Sequence, residues 1–577
     1  MSHVAETVHC VKMEYTPGAY EGALAQALER LEALGAGRRI WERDGRLWSA
    51  DPAVIKAIEN RLGWLDLPMT MGVHIPALKA LQREAWAAGF RRVVLLGMGG
   101  SSLAPEVMQE IFGRSPDHAT LTVLDTTDPA QIRRVAEAGD LAEVLFIAAS
   151  KSGTTIEMES LIAFFRARLQ ERVGASWPRH FIAITDSGTP LDTLASEQGF
   201  RAIYRNPSDI GGRYSALSLF GLVPGALIGV DLDRLLERAR EMAQCCRLTA
   251  TPTENPGLLL GALMGALANA QPPCDKLTLL TSPQLAPFGA WVEQLIAEST
   301  GKQGKGILPV ESEPLQEPGH YGRDRFFVYL RLEGAENATL DAFTEDLKAL
   351  GYPVILLPLR DVYDLGAEFF RWEYATAIAG ALMGIDPFDQ PNVELAKQRS
   401  VALLSTYVRE KALPVGEPVI VAGNLRVYGP PAEVRTAGEY LKAFLRQAPP
   451  NGYIALMAYL DRRAETFALL QRFRALLGRA MGLATTVGYG PRFLHSTGQL
   501  HKGGPNTGLF IQITHEEAED LPIPGQAYTF GILKQAQAIG DFLALNEMGR
   551  RVMRLHFGPA VLEELGRLIE EVEQALL

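Results

Sequence analysis

At 577 residues the chain is long enough for two or three domains. Its 47% hydrophobic and 21% charged residues are those of an ordinary globular protein with ample core. A net charge of −11 argues against nucleic acid as a partner, although helix dipoles and a few cations can still hold a small anion in one pocket. The four cysteines, Cys10, Cys245, Cys246 and Cys274, have no CxxC spacing, so neither a zinc site nor a disulfide framework is expected and the reducing cytoplasm fits best. The N-terminal stretch lacks a basic-then-apolar signal pattern, and no apolar run reaches the ~18–20 residues that span a bilayer. A soluble cytoplasmic chain without a membrane partner is expected.

Residues 1–90 read as a helical arm, with apolar residues three and four apart over Tyr20–Leu34 and Pro52–Leu62. Trp41, Trp48 and Trp64 read as anchors packing the arm on the next domain. A βα alternation then opens a first module, residues 91–250. Its strands are expected at Val93–Gly97, Leu121–Leu124, Val144–Ala149, Phe181–Thr185 and Ala202–Tyr204, with helices between them. Such spacing implies right-handed βαβ units and a parallel sheet covered on both faces. A Gly- and Ala-rich helical stretch, Arg213–Ala270, leads to a second module, residues 251–403, with strands at Leu277–Thr281, Phe326–Leu330 and Val354–Leu357. Residues 404–577 read as a third α/β stretch. It has a hairpin at Val419–Gly429, strands at Ala455–Leu460, Thr485–Tyr489 and Leu509–Thr514, and a closing helix from Pro559.

Six stretches carry candidate chemistry. Ser150-Lys151-Ser152-Gly153-Thr154-Thr155 lies between a strand end and a helix start, where free N–H groups and the helix dipole favour an anion. Helix capping is the plainer use of such hydroxyls. Gly97-Met98-Gly99-Gly100-Ser101-Ser102 lets a backbone approach a ligand closely. With Asp125 after the next strand it also admits a dinucleotide reading, but Ser102 stands where that fingerprint needs Gly or Ala. In Gly211-Gly212-Arg213, the Arg suits either an oxyanion or a surface ion pair. Gln294 and Glu298 share one helix face; a carboxylate near the helix C-terminus is disfavoured by the dipole. Gln390 and Lys397 lie about two turns apart in what could be an ordinary capped helix. His495 and His501 fall in one Gly-rich loop, which suits acid–base work better than metal ligation because no carboxylate or Cys stands at ligand spacing.

Read in order, GMGGSSLAP, SKSGTT, GGRYS, AESTGK and DPFDQPNVELAK resemble the phosphoglucose isomerase family over about Val93–Lys397. The later LHSTGQLHKGGPNTG is similar to the isomerase half of bifunctional transaldolase/glucose-6-phosphate isomerases. The resemblance implies two sugar-isomerase α/β domains. It also implies interconversion of glucose 6-phosphate and fructose 6-phosphate in glycolysis and gluconeogenesis, through a cis-enediol, with no cofactor and no metal. A homodimer is implied too. It places phosphate binding on Ser150, Lys151, Ser152 and Thr155, with Gly100 and Ser101 on the sugar side. Glu298 matches the proton-transfer base, Gln294 a substrate-binding Gln, Arg213 the cation beside the reacting carbons, and Gln390 and Lys397 the pair in the last core helix. The ring-opening His is a choice among His320, His495 and His501; His495 is preferred, presented within the chain or across a subunit interface. The ~90 residues before Val93 cannot hold the (β/α)₈ barrel of a transaldolase, so that activity is not expected. A phosphosugar sensor and an NAD-dependent oxidoreductase are the rival readings.

Overall fold

The computed structural model describes residues 12–248 and 251–576. Sixteen strands among them build three sheets: β1 (Glu14–Thr16), β2 (Arg92–Gly97), β3 (Thr120–Leu124), β4 (Val144–Ala149), β5 (Phe181–Asp186), β6 (Ala202–Asn206), β7 (Lys276–Thr281), β8 (Leu308–Val310), β9 (Arg325–Leu332), β10 (Val354–Leu359), β11 (Ile420–Ala422), β12 (Leu425–Tyr428), β13 (Tyr453–Ala458), β14 (Ala484–Tyr489), β15 (Gly508–His515) and β16 (Arg551–Phe557). The first sheet runs β3-β2-β4-β5-β6 and is parallel throughout. All six residues of β4 are buried, which is why its sequence is an unbroken apolar run rather than an alternation.

The second sheet runs β8-β7-β9-β10, all parallel, with β1 added antiparallel at the edge. The third runs β14-β13-β15-β16, again parallel, continued by antiparallel β12 and β11. Counting parallel strands within each domain, all three sheets share the order second-first-third-fourth. Each therefore has a switch point between its first and third strands, where ligands of wound α/β sheets bind.

The helical arm packs on the next domain, as expected, and on the second module besides. Trp41, Trp48 and Trp64 lie against aromatic rings of the second module, and Trp64 meets the first module as well. Trp41 stacks on Phe370 at 6.0 Å, Trp48 meets Phe388 edge-on at 5.2 Å, and Trp64 lies 5.7 Å from Phe370. Trp64 also sits 5.3 Å from Tyr214, so it ties the second module to the loop after β6. The expected break at 403/404 falls inside one helix, Glu394–Glu410. That helix packs on Phe530–Glu547 of the third domain, and Gly540 allows the close approach because a Cβ there would meet Ser400 at 2.7 Å.

The Arg213–Ala270 stretch is three helices, Leu219–Leu227, Leu232–Leu248 and Pro256–Asn269. Cys246 and Cys274 are free and buried. Cys10 and part of the N-terminal stretch read for a signal lie outside the described residues. No helix among the described residues is long and apolar enough to cross a membrane.

Trp64 is fully buried, so Trp64→Ala leaves a cavity between the arm and both modules. Loss of about 3–5 kcal/mol of stability is expected in equilibrium denaturation.

Candidate active site

The three domains meet at a cavity of about 600 Å³ whose lining includes all twelve of the expected site residues. The carboxyl ends of β2 and β4 form its floor. After β4, the Ser150 and Thr155 hydroxyls pair at 2.9 Å, those of Ser152 and Thr154 at 3.0 Å, and the Gly153 N–H donates to Ser150 Oγ. Gly153 has φ +68 and faces the Leu191 backbone, so a side chain there would be both strained and obstructed. The helix that follows, Ile156–Val173, has no side-chain cap at Thr155. Thr155 therefore does not put its hydroxyl to the capping use, and the first-turn N–H groups are not capped by it. Lys151 lines the cavity with its ammonium held by Asp186 at 2.5 Å and the Ser208 carbonyl.

The loop after β2 brings backbone to the ligand space. A Cβ at Gly99 would meet the His495 carbonyl at 2.7 Å, and one at Gly100 would overlap Gly212. Ser101 Oγ is bonded to the Met98 backbone and keeps the loop folded. Asp125, the residue a dinucleotide reading needs for a ribose, is buried against Arg492 at 2.9 Å and Ser102. It is not free to bind a nucleotide.

Arg213 lies in the turn Gly212–Tyr214 and is almost completely buried. Its Nε donates to Ser299 Oγ at 2.7 Å, Nη1 to Gln390 at 3.1 Å, and Nη2 to the carbonyls of Pro387 and Asp389. Nη1 also stands 3.3 Å from Glu298 Oε1. The other carboxylate oxygen of Glu298 accepts from Gln294 Nε2 at 3.1 Å, and the same amide donates to the His495 carbonyl at 2.8 Å. Gln294 Oε1 is buried without a partner, leaving an acceptor for a ligand hydroxyl. Gln390 and Lys397 lie at the exposed rim, Lys397 in the first turn of Glu394–Glu410.

Of the three histidines in question, His495 alone lines the cavity. The same chain supplies it, from the short helix Arg492–His495 after β14. Its Nε2 is 3.0 Å from Glu157 Oε1, and Glu157 also accepts from Gln537 Nε2 at 2.7 Å. Burial pushes the Glu157 carboxyl upward, but His495 and the hydrogen bonds outweigh it and hold the group below its usual range. Glu157 and Gln537 were not expected as site residues. A carboxylate in the first turn after an anion loop was the signal for Glu157, since it would repel the ligand unless paired elsewhere. No pattern marked Gln537, which arrives from the third domain. His320 is exposed beside Glu317, away from the cavity. His501 is buried between Phe493 and Phe510, with both ring nitrogens unpartnered.

A hydroxyl-rich anion loop, a carboxylate held beside an Arg, and a His–Glu pair in one cavity of wound α/β domains define a phosphosugar aldose–ketose isomerase. Comparisons with known proteins agree. The family model for phosphoglucose isomerase matches residues 83–310. A glucose-6-phosphate isomerase of Thermus thermophilus is 30% identical over 379 residues, covering 59% of this chain and 89% of that protein. The glucose-6-phosphate isomerase of Thermosynechococcus vestitus is 29% identical over 433 residues, covering 67% of this chain and 80% of its own. Among solved structures, a hypothetical protein of Thermus thermophilus superposes over 68% of this chain and all of its own, with a TM-score of 0.56 and 26% identity. The chain belongs to the phosphoglucose isomerase family.

Burial, reinforced by the Lys502 and Arg550 charges, pushes His501 well below the ordinary imidazole range. The fold keeps it neutral while the unfolded chain protonates it below about pH 6.5, so it costs stability as pH falls. His501→Phe is therefore expected to remove up to about 1.4 kcal/mol of destabilisation per pH unit between pH 6 and pH 5. Denaturation of both proteins across that range reads the difference.

Proposed function

We propose that this enzyme interconverts glucose 6-phosphate and fructose 6-phosphate through a cis-enediol, with Glu298 as the proton-transfer base. The observation that carries the reading is the Glu298 carboxylate, fixed between Arg213 and Gln294, in one cavity with the uncapped, hydroxyl-rich helix start. The Ser150, Ser152 and Thr155 hydroxyls and the free amides of that helix receive the phosphate. Because this group does not react, its binding energy serves orientation.

Ring opening comes first. His495, backed by the Glu157 carboxylate, acts as the general acid and gives a proton to the ring oxygen, while the anomeric hydroxyl gives its proton to the Lys397 amine as the base. Glu298 then takes the proton from C2 and returns it to C1, while the O2 hydroxyl proton passes to the adjacent O1 of the cis-enediolate, leaving the carbonyl at C2. Negative charge developing on the enediolate oxygens faces Arg213, whose four other hydrogen-bond partners hold it in place before the reaction. A sensor would need only the phosphate loop, so the placement of Glu298, Arg213 and His495 around one cavity supports an enzyme. The reading includes a homodimer and a cytoplasmic location, where hexose phosphates are made. One chain supplies every group named, so pairing is not needed for the chemistry.

Glu298→Gln keeps the shape and removes the base. Turnover in a coupled fructose 6-phosphate assay is expected to fall by about 10²–10⁴-fold, with binding in a thermal-shift titration largely kept; near-normal turnover would exclude Glu298 as the base. His495→Ala should cut turnover of cyclic fructose 6-phosphate far more than that of 5-deoxyfructose 6-phosphate, which has no O5 to close a ring. Equal losses on both would assign His495 a structural role.

A further inference from the structure

The third domain repeats the strand order of the first, so it has its own switch point, between β13 and β15. In the first domain the equivalent crevice is the floor of the substrate cavity. In the second it is closed by its own side chains: Ser282 Oγ donates to Asn337 at 2.6 Å and accepts from the Leu332 N–H. In the third it is filled by another part of the chain. The segment after β3, leading into the helix Pro129–Glu137, lies across both of its walls. On the β13 side, Arg134 makes two hydrogen bonds to Asp461, at 2.7 and 2.8 Å. On the β15 side, Asp128 accepts from Lys534 at 2.7 Å, and Lys534 also holds Glu517 and lies 3.2 Å from His515.

Asp128, His515 and Glu517 place ligating atoms within 4.8 Å of one another, a geometry that could hold a metal ion. The Lys534 ammonium already stands among them, so the cation of this cluster is the chain's own. Burial works against its charge, but Asp128 and Glu517 outweigh burial and keep it protonated. Asp128 and Lys534 are both almost fully buried, so neither charge is relieved by water.

This pair is in line with the catalytic histidine. Thr127, next to Asp128, donates from Oγ1 to Gln537 Oε1 at 2.9 Å. Gln537 lies three residues after Lys534, on the same helix face. Its amide donates to Glu157, which holds His495. Two adjacent residues of the first domain thus clamp one helical turn of the third, and that turn sets the carboxylate that orients the imidazole.

Resting on the isomerase reading, we propose that the third domain is a sugar-isomerase-type unit whose ligand crevice serves as a docking socket, and that Asp128 and Lys534 seated in it are positioning residues for His495. The defect on breaking the clamp belongs to ring opening, because Glu298, Arg213 and the phosphate loop lie on the other two domains.

The test is Lys534→Met, which keeps length and removes charge, with Thr127→Val as a milder variant that only removes a donor. Both are assayed on fructose 6-phosphate and on 5-deoxyfructose 6-phosphate. Turnover of the cyclic sugar should fall about ten- to a hundred-fold in Lys534→Met, and by less than about two-fold on the open-chain ketose; Thr127→Val should show the same selectivity at smaller size. Amide hydrogen exchange over residues 492–496 should rise in both, a readout that does not depend on activity. Equal losses on the two sugars, or unchanged exchange at 492–496, would overturn the proposal; so would full activity of both variants. If Lys534→Met does not fold, Thr127→Val decides alone. Wild-type failure on both sugars would overturn the isomerase reading, and the exchange measurement would still judge the socket.

Discussion

The guanidinium of Arg213 joins three parts of the chain that are far apart in sequence. Its hydrogen bonds reach the helix carrying Ser299 and Glu298, the segment Pro387–Gln390 and, through its own turn, the end of the first sheet. A cation this deeply buried is tolerable only when its donors are satisfied, so the two sugar-isomerase modules must close around it in one arrangement. The same closure puts Glu298 beside a fixed positive charge. One interaction therefore sets both the domain geometry and the electrostatics around Glu298.

The third domain adds the imidazole. In the first sheet the crevice at the switch point is open to the ligand; in the second and third it is occupied by the chain itself. A wound sheet offers the same crevice whatever fills it, because the helices leave on opposite faces at the strand where the winding reverses. Filled by Asp128 and gripped by Lys534, the third crevice becomes an interface between domains. Polar bridges such as Glu157–Gln537 and Gln499 to the Gly301 carbonyl then carry the loop of His495 up to the other two modules.

Strands covered on both faces were legible because burial imposes a continuous apolar run, as in β4. β16 was not expected, although it lies inside the third sheet, because Arg551, Arg554 and His556 interrupt its pattern; Arg554 is buried over the Tyr428 ring at 4.1 Å. β1 and β8 have three residues each, too short for any periodicity to register. The helix Phe530–Glu547 was also missed, since it is buried on most sides and shows no single apolar stripe. The helical arm was legible as helices, but its aromatic anchors gave no hint of which module they would meet.

By itself the sequence determined the parallel α/β modules, the hydroxyl-rich loop at a helix start and the residue types gathered around one cavity. These follow from local rules: helix and strand periodicity, glycine at positive φ, and free amides at a helix start. Only the tertiary structure decided that His495 and not His320 or His501 faces the cavity. It alone decided that Glu157 and Gln537 stand behind His495, and that Asp125 is consumed by Arg492. Each of these depends on pairing across hundreds of residues, and a pairing between buried polar groups is set by which surfaces the domains present to one another. No periodicity along the chain encodes that.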